Sequence, residues 1–512
     1  MVVGDDITFS SVTFPFGSVT PLFVTQGSLV ELVNYVTIDG GGRVRIDGSG
    51  APAGSSGLEL RGDHVVVTAL EITDFPGYGV WVRAGNNQSI GSAAVSGGGN
   101  IVRDNDLGGI RVGDIGSPVH HVTVEANTVS HDCLAPTGVC GGIELLGSIQ
   151  LDQIAVRNNT VNDIRGNPAL LQGTGILVGF GTGHLVEANT VGAVAPISNL
   201  GTGIVVASSG SLVTSVEIRD NLVGGNEKNG ILLGPGSSGT VVEANRLGTD
   251  ASGTLAVPNG TNGLFVFGSR FHEVRGNVIS GNVEAGIRLA GGDQGSHVIA
   301  GNRIGVDQSG TAALPNGTYG IWSAGTSGAT TIGEASSGNV VSGNVQSGLR
   351  LEDDLHVLRA NLVGASADGA YPIPNGTGGG GPWPAVDLYG YGVTMGGLGD
   401  LSTANVVSGN AAAGVRVGPG ADHVDVSGNI VGLAGDGSSP LANDGDGIVV
   451  DGASYVTLCS DERTNLVSAN LGDGIRITSA GGPVDAIQVR HCGVGATLDG
   501  GRAGNGRASS RP

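Results

Sequence analysis

Apolar residues recur along this chain in short alternations, without the three-to-four-residue stripe of an amphipathic helix. In "HEVRGNVISGNVEAGIRLAG" (272–291), Val274 and Ile279 each precede a Gly-Asn pair, and Ile287 and Leu289 flank Arg288. Alternation at period two sends Val274, Ile279, Ile287 and Leu289 inward and Arg275 and Arg288 outward. Gly276-Asn277 and Gly281-Asn282 read as turns, because Gly and Asn tolerate the left-handed region best. The first half of the phrase returns as "HVIAGNRIGV" (297–306), "HVLRANLVGA" (356–365) and "HVDVSGNIVG" (423–432). Its second half returns as "VVSGNVQSGLRLE" (340–352), "VVSGNAAAGVRVG" (406–418) and "LVSANLGDGIRIT" (466–478).

Alignment on the turn Asn gives Asn105, Asn127, Asn159, Asn189, Asn221, Asn245, Asn277 and Asn302, with steps of 22, 32, 30, 32, 24, 32 and 25 residues. Each step holds three short strands and three turns, and strands one coil from their equivalents pair in parallel. An all-β, right-handed parallel β-helix of about 15 coils is the economical fold. Stacked coils set Asn over Asn and Val over Val, so amides bond along the stack while apolar rows fill the core. Long loops opening at Gly248, Gly305 and Gly364 (57 and 59 residues apart), with a fourth at Gly432, leave on alternate coils and predict a ridge along one edge. The expected organisation is an N-terminal cap segment over 1–36, the β-helix over 37–498 and a Gly/Ser/Arg-rich flexible tail over 499–512.

Glycine at 97 of 512 residues has no Gly-X-Y period and 39% of residues are apolar, so the chain folds and is neither collagenous nor disordered. The net charge of −21, with Lys228 the only lysine, argues against nucleic acid and anionic membranes as partners. No apolar run reaches the 18 residues of a membrane span. "MVVGDDITFSS" (1–11) lacks the basic start and apolar run of a signal peptide and reads as a processed start. Cys133 and Cys140, seven apart in a loop, suit a local disulfide, and Cys459 and Cys492, 33 apart, suit a bridge between adjacent coils. That pairing fits an oxidising compartment; the alternative is four buried thiols.

The residue between the inward pair of each "G-I-x-V" strand forms an outward row. It places Trp322, Arg350, Asp387 and Arg416 on successive rungs, with Glu352 beside Arg350 and with Trp383 and Tyr389 flanking Asp387. Aromatic faces with guanidinium and carboxylate groups suit a sugar or uronate; the plainer reading is a charge ladder with exposed aromatics. A weaker patch comprises His131, Asp132 and Glu144. A second outward row, Arg103, Glu125, Arg157, Glu187, Arg219, Glu243 and Arg275, alternates in sign and reads as register-fixing pairs. His121, His184, His272, His297, His356 and His423 read as a recurrent position at the head of a strand in preference to a metal line. Asp250 and Asp307 at equivalent loop positions, with Asp444 and Asp446 in "NDGDG" (443–447), are weak calcium candidates against a default of Asp-Gly turns; no other cofactor is expected.

"TIDGGGRVRIDGSG" (37–50), "GLELRGDHVVVTALEITDFPGYGVWV" (57–82), "SIGSAAVSGGGNIVRDN" (89–105) and the "GTDASGTLAVPNG" loops resemble the bacterial right-handed parallel β-helix proteins of the pectate-lyase-like superfamily. The likeness is to exported or surface proteins that carry an N-terminal Cys-Ser-Leu-Arg-Glu-Ala motif. "GDDITF" (4–9) is similar to the segment immediately C-terminal to that motif in those proteins, and the motif itself is missing here, so the start is expected to be truncated relative to the family. The superfamily contains lyases, hydrolases, epimerases, adhesins and tailspikes, and the grouped motifs of polygalacturonases, alginate epimerases and pectate lyases are not found. The expected function is an extracellular or cell-surface scaffold that binds polysaccharide or a surface protein without catalysis. The second reading is a polysaccharide lyase or glycoside hydrolase on an acidic polysaccharide, with Asp387 or Glu352 as acid or base and Arg350 or Arg416 neutralising a uronate. A third is a spacer whose function is length alone.

Overall fold

The computed structural model describes residues 5–9, 13, 18–25, 32–135, 138–147, 150–167, 172–193, 198–292, 295–325, 328–381, 383–397, 403–460 and 463–506. Those residues form a parallel β-solenoid of about 15 coils, with no helix among them. The chain divides into two compact units, residues 1–245 and 246–512. In each unit one sheet carries the outward row. In the first unit its strands are β1 (Leu58–Leu60), β2 (Tyr78–Val82), β3 (Gly108–Val112), β4 (Gly141–Leu145), β5 (Thr174–Val178), β6 (Ile204–Val206) and β7 (Ile231–Leu233). In the second unit they are β8 (Leu264–Phe267), β9 (Ile287–Ala290), β10 (Ile321–Ala324), β11 (Leu349–Leu351), β12 (Val386–Leu388), β13 (Val415–Val417), β14 (Ile448–Asp451) and β15 (Ile475–Thr478). Two further strands per coil, such as Thr123–Glu125 and Thr128–Ser130, form the facing sheet.

The inward residues are Val, Ile and Leu stacked in columns, Ile110 against Ile143 and Ile321 against Leu349, all fully buried. From Asn100 to Asn465 the chain bends between the two facing strands of a coil at a buried Asn. In the first unit Nδ2 of Asn100, Asn127, Asn159, Asn189 and Asn221 each donates to Oδ1 of the next member, ending at Asn245, at 2.9–3.0 Å. In the second unit the same bonds run from Asn277 through Asn302, Asn339, Asn361, Asn405 and Asn429 to Asn465. Each amide also donates to a backbone carbonyl of the preceding coil, as Asn302 does to Val274 at 2.8 Å, so the ladder satisfies polar groups that burial would otherwise penalise. At many of these bends the residue before the Asn is left-handed: Gly276 has φ 62°, and Ala126, Asn158, Ala188 and Ala244 hold the equivalent place at φ 53–59°.

Two details differ from the sequence alignment. Asn105 belongs to a second ladder, where its Nδ2 donates to Asp132 Oδ1 at 2.8 Å; Asn100 holds the place aligned with Asn127. The coil carries an Asn at both of its bends, and only the stacking partner tells them apart. Arg103 accordingly lies opposite Ser130 and pairs with Glu71, whereas Glu125–Arg157 (2.8 Å) and Glu187–Arg219 (2.9 Å) form ion pairs across neighbouring strands.

The long loops of the second unit fold back as small antiparallel bridges, Thr249 with Ala256, Val306 with Ala313, Ala365 with Pro372 and Leu433 with Pro440. They bond to one another directly: Gln308 N to Gly253 O, Ala367 N to Gly310 O and Gly435 N to Gly369 O, at 2.9–3.0 Å. The ridge is therefore a stack with its own hydrogen bonds. Disulfides join Cys133 to Cys140 and Cys459 to Cys492. At the N-terminal end Asp5–Thr8 and Thr20–Phe23 pair in parallel with Val36–Asp47. In the segment expected as a tail, Asn505 accepts the last rung of the second ladder from Asn470 at 2.9 Å, and 507–512 lie outside the described residues.

Candidate functional site

The strand pairing brings the outward row together rung by rung. In the second unit Arg288 lies opposite Trp322, Trp322 opposite Arg350, Arg350 opposite Asp387 and Asp387 opposite Arg416, because Ile, Leu and Val on either side of each residue point into the core. Neighbouring strands are about 4.8 Å apart, so these side chains form a continuous patch. The Arg288 guanidinium stacks 3.2 Å from the centre of the Trp322 ring. Trp322 Nε1 donates to Glu352 Oε1 (3.2 Å), and Arg350 Nε reaches the same oxygen at 2.5 Å.

Asp387 is almost wholly buried beneath this patch. Arg350 Nη1 lies 3.7 Å from Oδ2 and Arg416 Nη1 3.7 Å from Oδ1, and the Tyr389 hydroxyl donates to Oδ2 at 3.1 Å. Burial pushes its carboxyl above the usual range, against the opposing pull of Arg416 and then Arg350. Arg416 also reaches Asp451 at 3.5 Å, and Arg476 pairs with Asp446 at 2.6 Å. One aromatic missed by the row pattern completes the patch. Tyr319, two residues before β10, packs against Trp322 (5.2 Å) and edge-on to Trp383 (6.2 Å), and Arg350 lies 5.6 Å over its ring. The signal was present as the aromatic in "TYGIW" (318–322), outside the alternation that defines the row.

The acidic loop residues serve their own turns. Asp250 accepts from Ser252 Oγ and from the backbone N–H of Thr254 and Leu255, which hold its carboxyl down to about 2. Asp307 repeats this with Ser309, Thr311 and Ala312. Asp446 is bonded to Arg476 and to the N–H of Asp473, and Asp444 is exposed. The histidines fall into two groups: His184, His272, His297 and His356 are buried at a corner, where burial lowers His184 to about 4 and His272 to about 3, while His121 and His423 are exposed at positive φ. His131 pairs with Asp104, Asp132 sits in the second ladder, and Glu144 belongs to the outward row of the first unit.

The family described as "Periplasmic copper-binding protein (NosD)" matches residues 25–320. Among solved structures, the PL6 family alginate lyase AlyGC is 12% identical, with 94% of this chain and 74% of the lyase covered and a TM-score of 0.41. The AlgE6 A-module, a mannuronan C-5 epimerase of Azotobacter vinelandii, is 14% identical over 94% of this chain and 93% of its own, with a TM-score of 0.38. The Dettilon tailspike protein is 14% identical at a TM-score of 0.39, and the match covers 78% of this chain and 59% of the tailspike. At these identities the likeness is one of fold alone. No curated protein matches the chain.

Proposed function

Since the chain belongs to the periplasmic NosD family, we propose that it works outside the cytoplasm as a β-helix that binds a neutral polysaccharide on the outward row of its second unit, without catalysis. The observation that carries the reading is the patch of Trp322, Tyr319, Trp383 and Tyr389 interleaved with Arg350 and Arg416, whose guanidinium groups carboxylates hold in place. Aromatic rings suit the C–H faces of a sugar, and fixed guanidinium groups suit paired hydroxyls. Arg350 and Arg416 each have carboxylate partners and the chain carries −21, which favours a neutral glycan over a polyuronate. Asp387 is buried between two arginines, in the position of a group that orients them and away from the place of an acid or base. The two disulfides fit an oxidising compartment. No helix among the described residues is long and apolar enough to cross a membrane.

The family description names copper, which takes thiolate, thioether or imidazole ligands. The described residues do not fit it: all four cysteines are in disulfides, Met395 is buried in the core, and no cluster of three His, Cys, Asp or Glu side chains occurs among them.

The test is a binding panel of neutral glycans (xylan, mannan, mixed-linkage glucan) and acidic ones (alginate, polygalacturonate), with 235 nm absorbance and reducing ends recorded in the same samples. The reading expects binding of a neutral glycan without product, weakened about tenfold or more in Trp322→Ala. Product formation that disappears in Asp387→Asn would make the protein an enzyme. Absence of binding throughout would sink the proposal.

A further inference from the structure

The outward row of the first unit holds a second constellation in the same order. "YGVW" (78–81) stands on β2 and "YGIW" (319–322) leads into β10, both Tyr and both Trp 241 residues apart. The next rung carries Arg111 in one and Arg350 in the other, and the rung after that a buried carboxylate, Glu144 or Asp387. The geometry agrees. Tyr78 and Trp81 are tilted at 60° with centroids 5.5 Å apart, Tyr319 and Trp322 at 53° and 5.2 Å. Arg111 lies 5.3 Å over Tyr78, and Arg350 lies 5.6 Å over Tyr319. Arg111 Nη1 is 3.6 Å from Glu144 Oε2, and Arg350 Nη1 is 3.7 Å from Asp387 Oδ2. Each indole carries a stacked guanidinium, Arg83 at 4.2 Å on Trp81 and Arg288 at 3.2 Å on Trp322, and each indole N–H is bonded, Trp81 to Gly113 O at 2.9 Å and Trp322 to Glu352.

The coil repeat explains part of this and leaves the rest. Glycine and the aliphatic residue are demanded by packing: a Cβ on Gly79 would lie 2.4 Å from Val102 Cγ1, and one on Gly320 2.5 Å from Val341 Cγ1. The Tyr and Trp are not demanded. The place of Tyr is elsewhere taken by Gly108, Gly141, Thr174, Ala285 or Ser347, and Trp81 and Trp322 are the only tryptophans on the row. A buried carboxylate opposite an arginine on an outward strand face also costs desolvation that the fold could avoid with an aliphatic residue, as it does at Leu177 and Val205.

We propose that the chain carries two copies of one saccharide-binding site, Tyr78/Trp81/Arg111/Glu144 in the first unit and Tyr319/Trp322/Arg350/Asp387 in the second, each taking a neutral oligosaccharide. The inference rests on the reading under Proposed function and goes beyond it by assigning a second site and a stoichiometry. In each copy the indole, fixed by its N–H bond and stacked guanidinium yet partly exposed, offers an apolar face, and the rung-adjacent arginine offers paired N–H donors. The buried carboxylate is a positioning residue: it holds the guanidinium and does not itself reach solvent. The copies differ in strength. The place of Tyr389 is taken by Leu146 in the first unit, and Arg416 has an aliphatic counterpart in Leu177, so the first site makes fewer polar contacts and is the weaker one.

The test uses the full chain with xylohexaose, mannohexaose and cellohexaose, by calorimetry and tryptophan fluorescence. The sequence holds three tryptophans, so a Trp322→Phe/Trp383→Phe variant leaves Trp81 as the sole reporter of the first site. Two molecules bound per chain are expected, falling to one in Trp81→Ala/Arg111→Ala and to one in Trp322→Ala/Arg350→Ala. Trp81→Phe, which keeps an aromatic face, is expected to retain two, separating loss of the site from loss of the fold. A stoichiometry of one that the Trp81/Arg111 variant leaves intact would overturn the duplication while sparing the second-unit site. Two bound molecules untouched by that variant would overturn it as well. No binding by the unmutated protein would overturn both readings together.

Discussion

Glu144 couples the stability of the first unit to pH. It is fully buried on β4, with Gly141 N–H donating to Oε1 at 2.7 Å and Arg111 3.6 Å from Oε2. Burial raises its carboxyl from 4.5 to about 7, with Arg111 acting in the opposite direction. An acid raised on folding binds its proton more tightly in the native state, so its contribution is complete below pH 4.5 and is lost as pH rises through 7. The rise from 4.5 to about 7, at about 1.36 kcal/mol per tenfold change in proton affinity, corresponds to roughly 3 kcal/mol lost across that window. Glu144→Gln keeps the shape and removes the titration. Urea unfolding of both proteins from pH 4 to pH 8 should therefore show a stability difference that moves in favour of the glutamine variant by about 3 kcal/mol, most steeply between pH 5 and 7. The change with pH is the readout, since a constant offset from the altered Arg111 contact cancels. A difference that stays flat, or that favours the wild type increasingly as pH rises, would refute the argument that burial dominates this site.

Asp132 occupies a place held by Asn elsewhere in the second ladder, and burial pushes its carboxyl well above the ordinary range. Asp132→Asn retains the acceptor for Asn105 and supplies an amide N–H, so it should stabilise the protein by on the order of 1 kcal/mol at pH 7 and by much less at pH 4, read from urea midpoints at the two pH values. The disulfides differ in the chain they close: 33 residues for Cys459–Cys492 and 7 for Cys133–Cys140. Loop-closure entropy gives about 4 and about 2 kcal/mol respectively, so the double serine variant of the first pair should lower the unfolding midpoint more than that of the second; the reverse order would show that strain or local packing outweighs chain entropy.

The row of Trp322, Arg350, Asp387 and Arg416 was legible because alternation at period two fixes which side chains leave the core, and parallel stacking fixes their neighbours. The assignment of Asn105 failed for a related reason. Two bends of one coil share the same residue type, and local pattern cannot say which ladder continues through Asn127. Nor could it separate the buried corner histidines from His121 and His423, which differ by a single position relative to the strand.

By itself, then, the sequence determined the coil, its parallel pairing and the order of side chains along the outward face, because these follow from a repeat that each coil imposes on the next. Tertiary structure decided what that face became. Whether an outward carboxylate meets water or is closed over, as Asp387 and Glu144 are, depends on the loops and arginines that arrive from other coils, and Tyr78 and Tyr319 enter the patches from outside the alternation. Those arrivals join residues some 30 positions apart through space, and a pattern read along the chain holds no term for them.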